Sequence, residues 1–161
     1  MRLKTLEDEN FTNFKDVTMT IGTISCNGKC CIEADIPICV CLNDSWRAAP
    51  VMDIPNVTLC NRYLSNPMTK GIVFAGLEPF EQYDEVKGFI NTLRNEMGCD
   101  DPVIIYTGYY KDEIQKQVEE LSQFENIIIK FGRYIPDMES RYDEVLGVTL
   151  ASNNQYAERI A

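Results

Sequence analysis

The chain has 161 residues, of which 15 are basic, 25 are acidic and none is histidine, so its net charge is −10. That charge would repel a polyanion, which argues against direct binding to nucleic acid. The lack of histidine excludes Ser-His-Asp and Cys-His catalysis and histidine-ligated zinc. Any chemistry must therefore come from cysteine, carboxylate, lysine or tyrosine side chains, or from a cofactor.

The length and the hydrophobic content of 45% are sufficient for one sizeable core. No internal repeat, low-complexity tract or linker divides the chain, so we expect a single domain over residues 1–161. The chain has no apolar run of about 18 residues, so no membrane span is predicted. The segment 1–14 is too charged for the apolar region of a signal peptide. We therefore expect a cytoplasmic protein with no membrane partner.

The chain alternates between strand and helix patterns. Residues 16–24 have the β-branched content of a strand, and a cysteine-rich loop follows them directly. Apolar periodicity then predicts helices at 54–64, 81–97 and 112–124, and strands at 71–75, 102–106 and 127–129. Such alternation implies an α/β fold, with a parallel sheet and flanking helices, either open or curled into an incomplete barrel. Ligands of these sheets bind at the carboxyl ends of the strands.

The loop after the first strand contains five of the seven cysteines, namely Cys26, Cys30, Cys31, Cys39 and Cys41. An odd number of cysteines without a secretory signal is better explained by metal binding or redox chemistry than by disulfides. Thiolates are the ligands that a [4Fe-4S] cluster or a tetrahedral zinc requires, and the loop alone leaves both metals open. Cys60, on a predicted helix, and Cys99, in a predicted turn, are interpreted as structural or exposed thiols.

A second candidate functional segment follows the second strand of the alternating pattern. Gly76-Leu77-Glu78-Pro79 supplies open backbone amides and a carboxylate that could bind the ammonium group of a ligand. Taken alone, this sequence is also an ordinary turn from a strand to a helix. The turn becomes a candidate binding segment because it follows the cysteine loop in the chain.

The order of these segments resembles that of the radical S-adenosylmethionine (SAM) enzymes, which have a cysteine loop after the first strand and a Gly-Gly-Glu-Pro-like turn after the second. Tyr106-Thr107-Gly108-Tyr109 is similar to a segment of the anaerobic ribonucleotide reductase activases, and Ser152-Asn-Asn-Gln155 to their C-terminal Ser-x-Asn-Gln. Residues 127–135 resemble an activase strand, and Cys41-Leu-Asn43-Asp-Ser-Trp46 resembles the surroundings of the family's third cysteine. The matches extend over nearly the whole chain.

The resemblance implies an incomplete (β/α) barrel that holds a [4Fe-4S] cluster and SAM. It implies reductive cleavage of SAM to form a glycyl radical on a partner glycyl-radical enzyme, an anaerobic ribonucleotide reductase, with an electron donor such as flavodoxin or ferredoxin. It assigns no side chain a catalytic role. The residues that it assigns to cofactor binding are Asn43, Gly76, Leu77, Glu78, Pro79, Tyr106, Thr107, Gly108 and Gly132.

The cysteine spacing departs from the CxxxCxxC pattern of the family, because position 33 is glutamate. In the family three cysteines bind the cluster and leave one iron open for SAM, so five candidates cannot all be ligands. One possible set consists of Cys26, Cys30 and Cys41. The other set, which we favour, consists of Cys30 or its neighbour Cys31, with Cys39 and Cys41.

A second interpretation is a non-catalytic, cysteine-rich module that binds zinc or an iron–sulfur cluster and docks onto a partner protein. The two interpretations differ at Glu78. A radical enzyme should need this carboxylate, whereas a binding module should keep its metal and its partner after Glu78→Ala.

Overall fold

The computed structural model describes residues 1–161, which form ten strands and five α-helices. The strands are β1 (Arg2–Leu3), β2 (Thr5–Asn10), β3 (Thr18–Gly22), β4 (Met52–Asp53), β5 (Ile72–Phe74), β6 (Val103–Tyr106), β7 (Ile127–Phe131), β8 (Arg141–Asp143), β9 (Val148–Leu150) and β10 (Tyr156–Arg159). The helices are α1 (Lys29–Glu33), α2 (Asp44–Arg47), α3 (Asn56–Leu64), α4 (Tyr83–Asn91) and α5 (Gln115–Leu121). None of the helices has the length and apolar content needed to cross a membrane.

Six strands form the main sheet in the order β10-β7-β6-β5-β3-β2. The four central strands are parallel, and β2 and β10 add to the two edges in antiparallel orientation. Two small antiparallel pairs, β1–β4 and β8–β9, lie outside this sheet. The predicted α/β fold with a largely parallel sheet is confirmed. The sheet does not close, because β2 and β10 do not pair with each other.

The central strands are buried on both faces, which explains their nearly continuous apolar sequence. Successive side chains of a strand point to opposite faces, so Ile72 and Phe74 enter a large hydrophobic cluster of 21 residues while Val73 enters a smaller one of 7. The same alternation places Ile104 and Ile128 in the smaller cluster. The sheet therefore has two unequal buried faces.

The three long helices cover only one of those faces. Buried side chains of α3, α4 and α5 all belong to the larger cluster. The opposite face is covered by Phe14 and by Leu146 and Leu150 of the β8–β9 hairpin. Central strands that follow the chain order, joined by crossovers of one hand, place every helix on the same side. Because the four central strands are parallel, their carboxyl ends lie along one edge of the sheet.

The predicted helices and strands of the alternating region are present, with boundaries that differ by a few residues. The predicted helix at 112–124 begins as a 3-10 turn, Lys111–Ile114, before α5, and the one at 81–97 continues past α4 as a π-helical turn, Thr92–Glu96. The sequence did not predict the edge strands β2 and β10, the β8–β9 hairpin or the short helix α1. The single domain predicted for residues 1–161 stays a prediction.

Phe89 provides a test of the larger cluster. Its ring is fully buried and lies edge-on against Phe74, with the ring centroids 5.4 Å apart. We expect Phe89→Ala to lower the free energy of unfolding by about 3–5 kcal/mol, because it leaves a cavity. The control Phe11→Ala removes a ring that is 67% exposed and should change the free energy of unfolding by less than about 0.5 kcal/mol. Urea unfolding measures both, and equal effects would contradict this description of the core.

Candidate functional site

The segments that follow the parallel strands meet at one edge of the sheet. Thr23, just after β3, donates from its backbone N and from Oγ1 to the carbonyl oxygen of Gly76, at 3.3 and 3.1 Å. The backbone N of Glu78, after β5, donates in return to the carbonyl oxygen of Ser25 at 2.8 Å. These bonds attach the turn after β5 to the start of the cysteine loop.

That turn has an unusual backbone. Gly76 and Leu77 both lie in the left-handed region, with φ of 81° and 51°, which is costly for a residue with a Cβ. The indole ring of Trp46, on α2, lies directly against Gly76, so that a Cβ there would overlap it. Only glycine therefore fits at position 76. The contact also fixes α2, and with it the segment after Cys41, at the edge of the sheet.

Glu78 is the central polar group of this edge. Its side chain is 5% exposed and accepts hydrogen bonds from Thr107 Oγ1 at 2.7 Å, Gly108 N at 2.9 Å and Phe80 N at 3.1 Å. Burial raises the pKa of this carboxyl, and the three hydrogen bonds act in the opposite direction. Glu78 thus joins the carboxyl ends of β5 and β6.

A buried lysine lies beside Glu78. Lys130, on β7, is 6% exposed, and its Nζ donates to the carbonyl oxygens of Gly132 at 2.8 Å and Thr107 at 3.4 Å. It forms no ion pair. Burial lowers the pKa of Lys130 to about 8, although the nearby Cys30 and Glu78 act to raise it. The ammonium group is therefore held among backbone carbonyls with capacity left for an anionic ligand.

Arg133 holds the cysteine loop against the sheet. Its guanidinium pairs with Glu113 at 2.6 Å and with Glu33 at the end of α1, and it stacks over the ring of Tyr110 with 4.5 Å to the ring centroid. Nη1 also donates to the carbonyl oxygen of Gly108 at 2.9 Å. Arg133 is 6% exposed, so these charges interact in a poorly solvated place. One side chain thereby links α1, β6 and β7.

The five loop cysteines have different surroundings. All are free thiols. Cys30 lies against Gly108, since a Cβ built on that glycine would be 2.7 Å from its Sγ. Burial raises the pKa of the Cys30 thiol, followed by the nearby Glu78 and Cys26, whereas Lys130 lowers it. Cys39 is exposed on a short 3-10 turn.

Cys31 faces different neighbours. The pKa of its thiol is raised first by burial and then by the adjacent Cys41. Cys60 and Cys99, by contrast, lie buried within the larger hydrophobic cluster, as expected of structural thiols. No three cysteine or acidic side chains lie close enough to hold a single metal ion. A [4Fe-4S] cluster binds each thiolate through a different iron, so its ligands are farther apart than those of one ion.

The residues present suit such a cluster in their chemistry. A loop of five free thiols lies at the carboxyl ends of parallel strands, where ligands of such sheets bind. The buried ammonium group of Lys130, which forms no ion pair, lies at the same edge, and it would offset the negative charge of thiolates. The predicted ligands Cys26, Cys30, Cys31, Cys39 and Cys41 stay predictions.

The structure brings most of the predicted cofactor-binding residues to this edge. Those that meet there are Gly76, Leu77, Glu78, Pro79, Thr107, Gly108 and Gly132. Asn43 is half-buried at the start of α2, without a side-chain cap to that helix. Tyr106 points to the smaller cluster, where its hydroxyl donates to the Asn13 carbonyl oxygen at 2.6 Å.

Sequence reasoning assigned Lys130 and Arg133 no individual role, although the segment after the last parallel strand, 130–134, is among those expected to be functional. The signal for Lys130 was a charged residue within the otherwise apolar run of β7, since a lysine there must be buried or at the strand's end. Arg133 gave no such signal, because its partners Glu33 and Glu113 are 100 and 20 residues away in the chain.

A surface groove of about 780 Å³ lies elsewhere, between α5 and the edge strand β10. The residues that line it include Tyr110, Gln115 and Arg159. A smaller cavity of about 220 Å³ borders the strand ends and includes Ile24, Ser25 and Glu81 among its lining residues. Neither is lined by Glu78, Lys130, Arg133 or a loop cysteine. We therefore place the functional site by these side chains, at the carboxyl ends of the strands.

Comparison with protein families gives one match. Residues 39–156 match the model of the family described as 4Fe-4S single cluster domain. The matched region begins at Cys39 and includes Cys41, Glu78, Thr107 and Lys130. Searches of curated proteins and of solved structures gave no match.

The contact between Trp46 and Gly76 is testable with a pair of glycine substitutions. Gly76→Ala introduces a Cβ at positive φ and against the indole ring, so we expect it to lower the free energy of unfolding by about 2 kcal/mol or more. The control Gly88→Ala lies within α4, with the nearest atom 3.8 Å away. It should raise that free energy by about 0.5–1 kcal/mol. Denaturant unfolding measures both variants. Changes of the same sign in the free energy of unfolding would contradict the description.

The ion pairs of Glu113 predict a dependence of stability on pH. Hydrogen bonding to Arg133 is the main reason that the pKa of Glu113 is lowered from 4.5 to about 2. A lowered pKa contributes stability that is fully present above the unfolded value and is lost as pH falls toward the folded value. The destabilisation caused by Glu113→Gln should therefore be constant above pH 5 and shrink between about pH 4.5 and 2.

Urea unfolding at a series of pH values measures this difference. The control Glu125→Gln changes an exposed carboxylate that forms no ion pair, at the opposite edge of the sheet. If the loss of unfolding free energy caused by Glu113→Gln is the same at pH 7 and at about pH 2, the pairing with Arg133 does not contribute as described.

Proposed function

Because this chain belongs to the family of 4Fe-4S single cluster domains, we propose that it is a radical SAM enzyme that activates an anaerobic ribonucleotide reductase. The proposal has three parts beyond the family: SAM binds at the carboxyl edge of the sheet, its reductive cleavage yields a radical, and that radical forms a glycyl radical on a partner protein. The proposed fold is an incomplete (β/α) barrel.

One observation carries the proposal. Glu78, predicted as a SAM-binding residue, is buried between the ends of two parallel strands, bonded to Thr107 and Gly108, with the Cys30 thiol beside it. A ligand with an ammonium group finds a carboxylate there, and its carboxylate group finds the ammonium of Lys130, which has backbone carbonyls but no carboxylate as hydrogen-bond partners. Neighbouring groups of opposite charge suit the amino acid portion of SAM.

Two further features support the proposal. All three long helices lie on one face of the sheet, as they do in the wall of a (β/α) barrel. In addition, several apolar side chains are exposed on and beside the cysteine loop, namely Ile32, Ile38, Val40, Leu42 and Tyr134. Exposed apolar groups clustered near a site favour docking of another protein.

The chemistry would be divided between cofactor and protein. When bound, a cluster reduced by a one-electron donor such as flavodoxin or ferredoxin would supply the electron for reductive cleavage of SAM to methionine and a 5′-deoxyadenosyl radical, which would take a hydrogen atom from a glycine of the partner. The chain's own side chains would orient SAM through Glu78 and Lys130, and Arg133 holds α1 of the cysteine loop through its ion pair with Glu33.

Glu78 allows a direct test. After anaerobic reconstitution and reduction, we expect SAM to change the EPR signal of the wild-type cluster. Glu78→Ala should keep its iron but need at least about tenfold more SAM for the same change, because the charged partner of the ammonium group is gone. Glu78→Gln keeps the volume and removes only the charge, so it separates this effect from a loss of folding.

The control is Glu125→Gln, which removes a carboxylate at the far edge of the sheet and should respond to SAM as the wild type does. A wild-type cluster whose EPR signal ignores SAM would refute the proposal. So would Glu78→Ala and Glu78→Gln proteins that respond at wild-type SAM concentrations.

The alternative is a non-catalytic module that binds an iron–sulfur cluster or zinc and docks a partner. The exposed apolar side chains of the cysteine loop favour docking in either case. This alternative predicts that Glu78→Ala leaves both the metal content and partner binding unchanged, and that no 5′-deoxyadenosine forms.

A further inference from the structure

The edge strand β10 directs part of its backbone away from the sheet. β10 pairs with β7 in a regular antiparallel register, in which Ala157 lies opposite Lys130. The carbonyl oxygen of Lys130 accepts from Thr107 N, on the other side of β7. In an antiparallel pair, hydrogen-bonded residues alternate with residues whose N–H and C=O groups point away from the partner strand. Ala157 and Arg159 are therefore the residues of β10 whose backbone groups point outward.

Three of these outward groups have no partner in the chain. The N–H of Ala157 donates to Asp143 Oδ2 at 2.8 Å, which attaches the β8–β9 hairpin to the edge. The carbonyl oxygen of Ala157 and both backbone groups of Arg159 form no hydrogen bond. Such an edge is a template for another extended chain. The opposite edge strand, β2, is instead bulged between Glu7 and Asn10, and a bulge discourages pairing.

A groove runs beside this edge. It is the surface groove of about 780 Å³ between α5 and β10, and it is lined on the β10 side by residues that include Tyr156 and Ile160. These two side chains pack against the larger hydrophobic cluster, on the face of the sheet that α5 covers. A chain added to the edge of β10 would therefore lie beside α5, with alternate side chains in the groove. Because β10 has four residues, the edge has room for a segment of about the same length.

The charges of the groove favour a basic segment. Lys111 and Glu158 pair with each other within it at 2.7 Å, and the guanidinium of Arg159 donates to an asparagine outside it. Asp112 and Glu119 also line the groove, are exposed and pair with no cation. Lysine or arginine side chains of a bound segment would thus meet two uncompensated carboxylates.

A second copy of this chain does not suit the edge. Two β10 strands related by a two-fold axis would be antiparallel, with the axis at Glu158, Arg159 or Ala157. The first two arrangements place identical charges opposite each other, which is destabilising. The third needs the N–H of Ala157, which already donates to Asp143. Two copies that each carry a net charge of −10 also repel each other.

We infer that β10 and α5 form a docking site for an extended, basic segment of a partner protein, which binds as a seventh strand of the main sheet. The Ala157 carbonyl and the backbone of Arg159 provide the main-chain hydrogen bonds, and Asp112 and Glu119 select basic side chains. In strand addition of this kind, main-chain bonds give affinity and side-chain contacts give specificity. No residue of the cysteine loop lines the groove, so the inference does not depend on the cluster or on SAM.

Synthetic peptides titrated onto the full chain test the site. The probe is a fluorescently labelled hexapeptide of alternating lysine and valine, followed by fluorescence anisotropy at about 0.15 M salt, which screens long-range attraction. We expect it to bind at least about tenfold more tightly than a hexapeptide of alternating glutamate and valine.

Methylation of the peptide backbone separates strand addition from attraction between charges. One version of the lysine–valine probe carries N-methyl groups on its lysines and another carries them on its valines. Alternate N–H groups of a strand point to opposite edges, so only one version loses the hydrogen bonds to β10. We expect that version to bind about tenfold or more weakly and the other to bind as the unmodified probe does.

Variants of the chain test both parts of the site. Arg159→Pro removes an outward N–H but no bond to β7, and should weaken binding about tenfold or more; Arg159→Ala removes only the side chain and should not weaken it. Asp112→Asn with Glu119→Gln should weaken binding about threefold or more. The matched control, Asp16→Asn with Glu139→Gln, removes two exposed, unpaired carboxylates outside the groove and should bind as the wild type does.

A lysine–valine probe that does not bind would overturn the inference, as would equal binding of the two N-methylated versions. Wild-type affinity after Asp112→Asn with Glu119→Gln would overturn the choice of a basic segment, even if Arg159→Pro failed to fold. Sedimentation equilibrium examines the remaining occupant. A dimer of the chain that Arg159→Pro abolishes would assign the edge to a second copy and overturn the inference.

Discussion

Glu78 is buried at the carboxyl end of β5, and a carboxylate in that position must find donors for its oxygens or remain protonated. Thr107 and Gly108, at the end of the neighbouring strand, supply those donors, and Phe80 supplies a third. The register of β5 with β6 therefore determines whether the site exists. The same carboxylate is adjacent to Cys30 and Lys130, so the charges of the candidate cofactor site are arranged around it.

Buried cations lie where the cysteine loop meets the sheet, although the chain carries a net charge of −10. Arg133 is paired there with Glu33 and Glu113, so its charge is already compensated. Lys130 has backbone carbonyls and no carboxylate as hydrogen-bond partners. Its ammonium group is therefore the cation of this edge that suits an anionic cofactor.

The sequence predicted what depends on local patterns. The central strands and the long helices followed from apolar periodicity, and the turn Gly76–Pro79 from its position after a strand. The edge strands β2 and β10 were missed because half-exposed edges need no continuous apolar run, and half of the residues of β2 are acidic. The Arg133 pairs were missed because they join residues distant in sequence. The choice among cysteines depends on side-chain direction, which spacing alone does not give.

The central claim is that a cluster at this edge cleaves SAM, and product analysis tests it most directly. The reconstituted wild-type chain is reduced anaerobically with dithionite, mixed with SAM, and analysed by liquid chromatography with mass spectrometry. The account predicts 5′-deoxyadenosine and methionine in equal amounts, formed only when the cluster is present and reduced. A fully loaded and reduced cluster that leaves SAM intact would contradict it.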